Sequence, residues 1–236
     1  MNHLKRLLGN LRRKFYKTSN YITMKFSRSL VEIGSYYGTD KGNKWHTFKG
    51  KNYLDVYEIY LRPLRKLDVT LLEIGVRNGQ SLNMWKEYFP GAHIYGLDID
   101  PRCQQFASNN ISIYTGSQDD RILIEQIFES SGEFDLIVDD GSHVNELTLA
   151  SFSLLFGKLK SGGIYIIEDL GCSYLDLSSA VKEWPGMEYN DPGINYMNDR
   201  EIMNEFFLQK IKEMDHLQGA IRSIHFWPLI CCILKA

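Results

Sequence analysis

The sequence predicts an α/β fold: a doubly wound, mostly parallel sheet that ends in a C-terminal antiparallel hairpin. Three observations carry this. From residue 67 onward, short apolar runs alternate with longer amphipathic stretches. The early apolar runs are continuous, as strands buried on both faces of a parallel sheet require. The last two runs, 220–227 and 229–234, are parted only by Pro228, and so short a link allows only antiparallel pairing.

The elements follow in order. Residues 69–74 (VTLLEI) form the first strand, and 75–79 a tight turn between Gly75 and Gly79. A helix over 81–88 stops at Pro90-Gly91. A second strand spans 93–99 and a short helix 101–109. The third strand covers 111–115, and a helix lies at 121–130. The fourth strand is 134–138 (FDLIV), followed by a helix over 146–159 that ends at Lys160-Ser161-Gly162-Gly163. The fifth strand is 164–167. Residues 171–198 are rich in Gly, Pro, Asn, Asp and Tyr, which suits a long loop over the carboxyl ends of the strands. No internal repeat or low-complexity tract is present.

Composition sets outer bounds. The chain has 236 residues, 44% hydrophobic and 24% charged, which excludes disorder and a coiled-coil rod as whole-chain readings. Lys and Arg number 27 and Asp and Glu 29, so the net charge is 27 − 29 = −2, without the basic excess of a nucleic-acid partner. Cys103, Cys172, Cys231 and Cys232 form no CxxC pair, so neither a zinc ribbon nor a disulfide scaffold is indicated, and a reducing cytoplasmic setting is expected. No apolar run reaches 18 residues, and the first twenty lack the apolar centre of a secretory signal.

The charge is uneven. Residues 1–30 carry eight basic side chains and no acid, so +8; the rest then hold 27 − 8 = 19 basic and 29 acidic side chains, so −10. Leu4, Leu7, Leu8, Leu11 and Phe15 recur at helical spacing beside this positive charge. A basic amphipathic arm of this kind suits the anionic inner face of a membrane, and equally a solvated, frayed helix. Residues 31–66 form a helical or flap region. There Tyr53, Tyr57 and Tyr60 mark one helix face, beside Lys44-Trp45-His46. Residues 67–236 form the main domain.

Two constellations carry chemistry. The first is ExGxxxG, Glu73 to Gly79, placed where a strand turns into a helix. Open α/β sheets bind ligands there. The pattern is not the GxGxxG that NAD enzymes aim at a pyrophosphate. An acid at the strand end suits a cationic ligand instead. Asp98, 25 residues beyond Glu73, stands where a carboxylate receives ribose hydroxyls. Together they describe S-adenosylmethionine, a sulfonium with an ammonium and a ribose but no phosphate. Its expected contacts are Glu73, Gly75, Gly79, Ser81 and Asp98, with Ser117 and Gln118 beside the adenine. A glycine turn kept only for packing is the alternative for ExGxxxG alone.

The second is acidic. The fourth strand ends in Asp139-Asp140-Gly141-Ser142-His143 and the fifth in Glu168-Asp169. Carboxylates gathered at one cleft repel unless a cation or proton is shared. Mg²⁺ or Mn²⁺, hard cations that take oxygen ligands, fit Asp140, Glu168 and Asp169. His143, with an ordinary pKa of about 6.5, suits a general base near neutral pH. A helix-capping His143 and solvated acids are the alternative.

Taken in order, GTDK (38–41), ExGxxxG, YGLDID (95–100), DDGSH (139–143), GGIYIIEDL (162–170) and SIHFW (223–227) resemble the metal-dependent sugar O-methyltransferases of macrolide biosynthesis, of mycinamicin type. They are also similar to methyltransferases of bacterial polysaccharide clusters. The resemblance implies a Rossmann-like class I methyltransferase fold, with Asp140, Glu168 and Asp169 as metal ligands and His143 as base. In the wider catechol-type enzymes the first acid of the strand-four pair ligates, so Asp139 competes with Asp140. Here Asp139 is assigned to cofactor contact, or to a place behind the ligands that it supports. Macrolide members carry a larger N-terminal region than the roughly 65 residues before this first strand. The expected reaction is methyl transfer to a hydroxyl of a sugar, on a glycan or glycosylated natural product. The expected partners are that acceptor, a membrane surface through residues 1–30, and further copies in a homo-oligomer. A catechol-type or other small-molecule O-methyltransferase is the second reading, and an NAD-dependent nucleotide-sugar oxidoreductase the third.

Overall fold

The structure is a computed structural model, described over residues 28–43, 46–178 and 196–236. The amphipathic arm, save its last three residues, the Lys44-Trp45 pair and residues 179–195 of the polar loop lie outside the described residues. The chain divides into two compact units, Met1–Arg62 and Pro63–Ala236.

In the first unit, α1 (Leu30–Tyr37) opens with a capping box, in which Ser29 and Glu32 satisfy each other's backbone N–H. It ends at Gly38 in the left-handed region. α2 (Tyr53–Leu61) starts with a second box, Asn52 with Asp55. Glu58 on α2 accepts the Leu30 N–H at 2.8 Å, which ties the two helices together. Tyr53 and Tyr57 are buried, and the His46 ring stacks on Tyr53.

The second unit is built on one seven-stranded sheet. Its strands are β1 (Thr70–Ile74), β2 (His93–Asp98), β3 (Ile111–Thr115), β4 (Phe134–Asp139), β5 (Leu159–Ile167), β6 (Ile221–Trp227) and β7 (Ile230–Lys235). Their order is β3-β2-β1-β4-β5-β7-β6. The first five are parallel, and β7 and β6 close the edge as an antiparallel hairpin. Among the described residues, four α-helices accompany the sheet: α3 (Gln80–Tyr88), α4 (Arg121–Ser131), α5 (Asn145–Leu155) and α6 (Arg200–Asp215). On one sheet face Leu72, Ile74, Ile137, Tyr165, Ile167, Cys231 and Ile233 join a core with Ile124, Ile127, Phe152, Met203 and Phe207 of α4, α5 and α6. The alternate residues, Leu71, Leu136, Val138, Ile164 and Ile166, are buried as well. That explains why the strands read as unbroken apolar runs.

The structure corrects some details. The predicted helix over 146–159 stops at Leu155, and β5 begins at Leu159, so Lys160–Gly163 belongs to the strand. Register there jumps from Phe134 opposite Leu159 to Leu136 opposite Ile164, a bulge that Gly162 turns with φ +78°. The helix expected at 101–109 is a 3₁₀ segment, Pro101–Phe106. The sixteen-residue α6, opened by Asp199 as N-cap, stands where no element was predicted. Only Met203 and Phe207 of α6 are buried, too narrow an apolar stripe to stand out among polar neighbours.

Candidate active site

The chain runs outward from β1 to β2 and β3, then returns to β4 on the other side of β1. That reversal opens a crevice beyond the carboxyl ends of β1 and β4. Both sequence constellations lie at its rim.

Gly75 leaves β1 with φ +88° and donates its N–H to the Leu97 carbonyl. A Cβ there would sit 2.0 Å from the Asp140 carbonyl oxygen, so the glycine lets two loops of the site touch. Gly79 caps α3 with φ +68°, where a Cβ would meet the Phe106 ring at 2.7 Å. Asp98 Oδ2 accepts the N–H groups of Val76 and Arg77, each at 2.8 Å, and Oδ1 accepts that of Asp100 at 2.8 Å. The expected ribose acid is thus fastened to the glycine turn. Glu73 is buried and accepts a hydrogen bond from the Ser81 hydroxyl at 2.8 Å.

At the end of β4, Asp139 and Asp140 part ways, as consecutive strand residues do. Asp139 points inward and is 3% exposed. Its Oδ2 accepts the Tyr165 hydroxyl at 2.9 Å. Burial pushes its carboxyl up from 3.8 to about 6, against the lowering effect of the Tyr165 bond. Gln118 is equally committed. Its Oε1 accepts the Ser142 N–H at 2.8 Å, and its Nε2 donates to Ser151 Oγ at 2.6 Å. Gln118 therefore holds the 139–143 loop from beneath, a use that differs from the expected place beside adenine. Ser117 remains at the loop surface, hydrogen-bonded to Asp119.

Asp140, His143 and Asp169 come together. One ligand-type atom from each lies within 4.8 Å of the others. His143 Nε2 stands 3.8 Å from Asp140 Oδ1 and 3.6 Å from Asp169 Oδ2, with the three side chains 20%, 21% and 22% exposed. His143 and Asp169 both take left-handed backbone conformations, at φ +57° and +52°. Glu168 stays outside this group and is 4% exposed. It continues the alternation of β5 on the side of Ile166, which pairs with Cys232. Burial first, and the Glu168 charge second, push the Cys232 thiol up to about 12. Asp169 escapes that alternation only through its left-handed turn.

Tyr165, Ser151, Asn145 and Asn198 also shape this region without having been singled out in the sequence. Tyr165 left a signal: a hydroxyl inside a strand buried on both faces must find an acceptor. The two asparagines are 53 positions apart and left none.

No family model matches the sequence. Relatives do. One, the 8-demethyl-8-alpha-L-rhamnosyl tetracenomycin-C 2'-O-methyltransferase of Streptomyces olivaceus, is 33% identical over 228 residues, 87% of this chain and 54% of its own length. The L-olivosyl-oleandolide 3-O-methyltransferase of Streptomyces antibioticus is 38% identical over 166 residues, 66% of this chain and 39% of its own. Among solved structures, the MycE methyltransferase in complex with Mg, SAH and mycinamycin VI matches 89% of this chain and 55% of that one, with TM-score 0.68 and 28% identity. This chain has the class I methyltransferase fold. Its sequence resembles those of sugar O-methyltransferases that act on macrolides and on tetracenomycin, in line with the motifs. The chain spans about half the length, or less, of the curated relatives it matches. In this class I methyltransferase fold, both constellations occupy the carboxyl edge of the sheet on either side of the chain reversal.

Proposed function

We propose that the chain transfers a methyl group from S-adenosylmethionine to a hydroxyl of a sugar, carried by a glycosylated natural product or a glycan. One observation carries the reading: Asp140, His143 and Asp169 converge beside a glycine turn whose Asp98 is already fixed in place. Relatives named for sugar O-methylation, and the Mg- and SAH-bound MycE, support it.

The donor set fits a divalent cation. Two carboxylates with hard oxygen donors face one cleft, and each is partly open to solvent. In this reading Asp140 and Asp169 hold Mg²⁺ or Mn²⁺. Glu168, at the same strand end, would be the third carboxylate available to the ion. Such an ion acidifies and orients a bound hydroxyl. Asp98 receives the ribose hydroxyls. Glu73, held by Ser81, sets negative charge beneath the turn, where a cationic donor is favoured. Gly75 and Gly79 let the donor approach backbone, and Ser117 lies beside the adenine. Asp139, shielded by Tyr165 and Gln118, keeps the 140–143 loop in register. His143 takes the hydroxyl proton at Nε2. The sugar oxygen then bonds to the methyl carbon as the carbon–sulfur bond breaks, and S-adenosylhomocysteine leaves with the sulfur's electron pair restored.

Calorimetry tests the cofactor class: S-adenosylhomocysteine should bind and NADH should not, and the reverse would overturn the reading. His143→Ala should lower the transfer rate roughly 10²–10⁴-fold with cofactor affinity intact. Activity undiminished by EDTA would remove the cation.

Residues 1–30 are proposed to bring the enzyme to anionic lipid on the cytoplasmic side. Among the described residues no helix is long and apolar enough to cross a membrane. Vesicles rich in phosphatidylserine should sediment the full chain better than a chain lacking residues 1–30; equal sedimentation would end that role. Self-association is read directly by light scattering.

A further inference from the structure

We propose that Asn198 is a positioning residue for His143, holding the proposed base in its left-handed turn from across the site; this rests on the methyl-transfer reading above. The Asn198 amide is fully committed. Its Nδ2 donates to the His143 carbonyl at 2.9 Å and to the Cys172 carbonyl at 2.8 Å. Its Oδ1 accepts the Asn145 N–H at 2.9 Å. An amide turned over would set its oxygen against two carbonyls, so one orientation is enforced.

The three partners are not arbitrary. His143 carries φ +57°, a conformation that a side chain of its size keeps only where the surroundings hold it. The Cys172 N–H donates to the carbonyl of Asp169, the second left-handed residue of the cluster. Asn145 opens α5, whose N-cap Val144 offers no side-chain acceptor, so Asn198 supplies one from a distant segment. Asn145 returns the contact, donating Nδ2 to the Asp199 carbonyl at 2.8 Å and to the Ser173 carbonyl at 3.4 Å. Two amides thus stitch together the loop after β4, the turn after β5 and the start of α6. His143 Nε2 lies between Asp140 and Asp169 because both loop backbones are pinned to one side chain.

The test uses the full chain and two variants. Asn198→Asp keeps the size and the acceptor for Asn145 but replaces both donors with an oxygen. Asn198→Ala removes all three bonds. Long-range ¹H–¹⁵N spectra resolve the imidazoles of the six histidines, and His143→Gln identifies the His143 signals. In both variants these signals should move from their wild-type positions, and their broadening by added Mn²⁺ should be lost. S-adenosylhomocysteine affinity by calorimetry should stay at the wild-type value. Should Asn198→Ala not fold, Asn198→Ser, which keeps one donor, replaces it. Unmoved His143 signals with unchanged Mn²⁺ broadening would overturn the proposal, even if the melting temperature drops, because a merely structural asparagine behaves that way. A wild-type chain that binds no S-adenosylhomocysteine would sink the methyl-transfer reading instead, and the ring signals would still decide the link between Asn198 and His143.

Discussion

Asp139 shows how two adjacent identical residues acquire different work. Asp140 faces the cleft, whereas Asp139 is buried against Tyr165 with its carboxyl raised to about 6. The sign of the resulting pH effect follows from that direction. Below the ordinary value of 3.8 the carboxyl is protonated in both folded and unfolded chains. Between there and about 6 the folded chain binds the extra proton, so stability falls as pH rises through this window. The stability lost across this window is on the order of a few kcal/mol. Asp139→Asn should therefore flatten the stability profile between pH 4 and 6, measured by urea unfolding in EDTA; an unchanged slope would place the ionisation elsewhere. Nothing in the DD dipeptide tells which acid turns inward. The pleat decides it, and the pleat depends on where the strand ends.

At the scale of elements, most of the sheet was legible because each buried strand is a continuous apolar run bounded by turn residues. Residues 111–115 were placed to the residue, and β1, β2 and β4 to within one. What escaped was set by contacts remote in sequence. Lys160-Ser161-Gly162-Gly163 reads locally as a helix stop, yet it is drawn into β5 by pairing with β4. Likewise Glu168 and Asp169 look equivalent as neighbours at a strand end, but only Asp169 turns to the cluster. The glycine turn was legible as a motif while its strictest constraint was not, because the obstacle at Gly75 is the Asp140 carbonyl of another loop. Gly75→Ala should cost roughly 2–4 kcal/mol, through a forced shift of the β4 loop and a strained φ. Cofactor binding should weaken in the same variant. If thermal unfolding shows a stability within error of wild type, the two loops do not touch as described.

For the whole molecule, the proposed cation site is a source of repulsion as long as no cation is bound, since Asp140 and Asp169 face each other across His143. Binding to the folded chain alone must stabilise it. Mg²⁺ or Mn²⁺ at a hundredfold excess over its Kd should add about 2.7 kcal/mol. For a unit of this size that raises Tm by about 5–10 °C. The Asp140→Asn, Asp169→Asn double variant should show no such rise. A Tm that ignores both metals in the wild-type chain would count against a cation there. The earlier net charge of −2 is thus a sum of a +8 arm and a −10 remainder that includes these acids.

The outward-and-back strand order also governs how the molecule comes into being. β4 must find β1 after the chain has travelled through β2 and β3, a detour of 60 residues from Ile74 to Phe134. Parallel pairing across such separations is the slow part of folding. A fragment that stops short of β4 cannot bring the glycine turn and the acidic cluster together, because they meet only once that pairing is made. Competence to bind S-adenosylhomocysteine should then return only in the slowest refolding phase, well after helix signal is regained. Stopped-flow circular dichroism set beside ligand binding during refolding reads this directly, and binding recovered in the fast phase would contradict it.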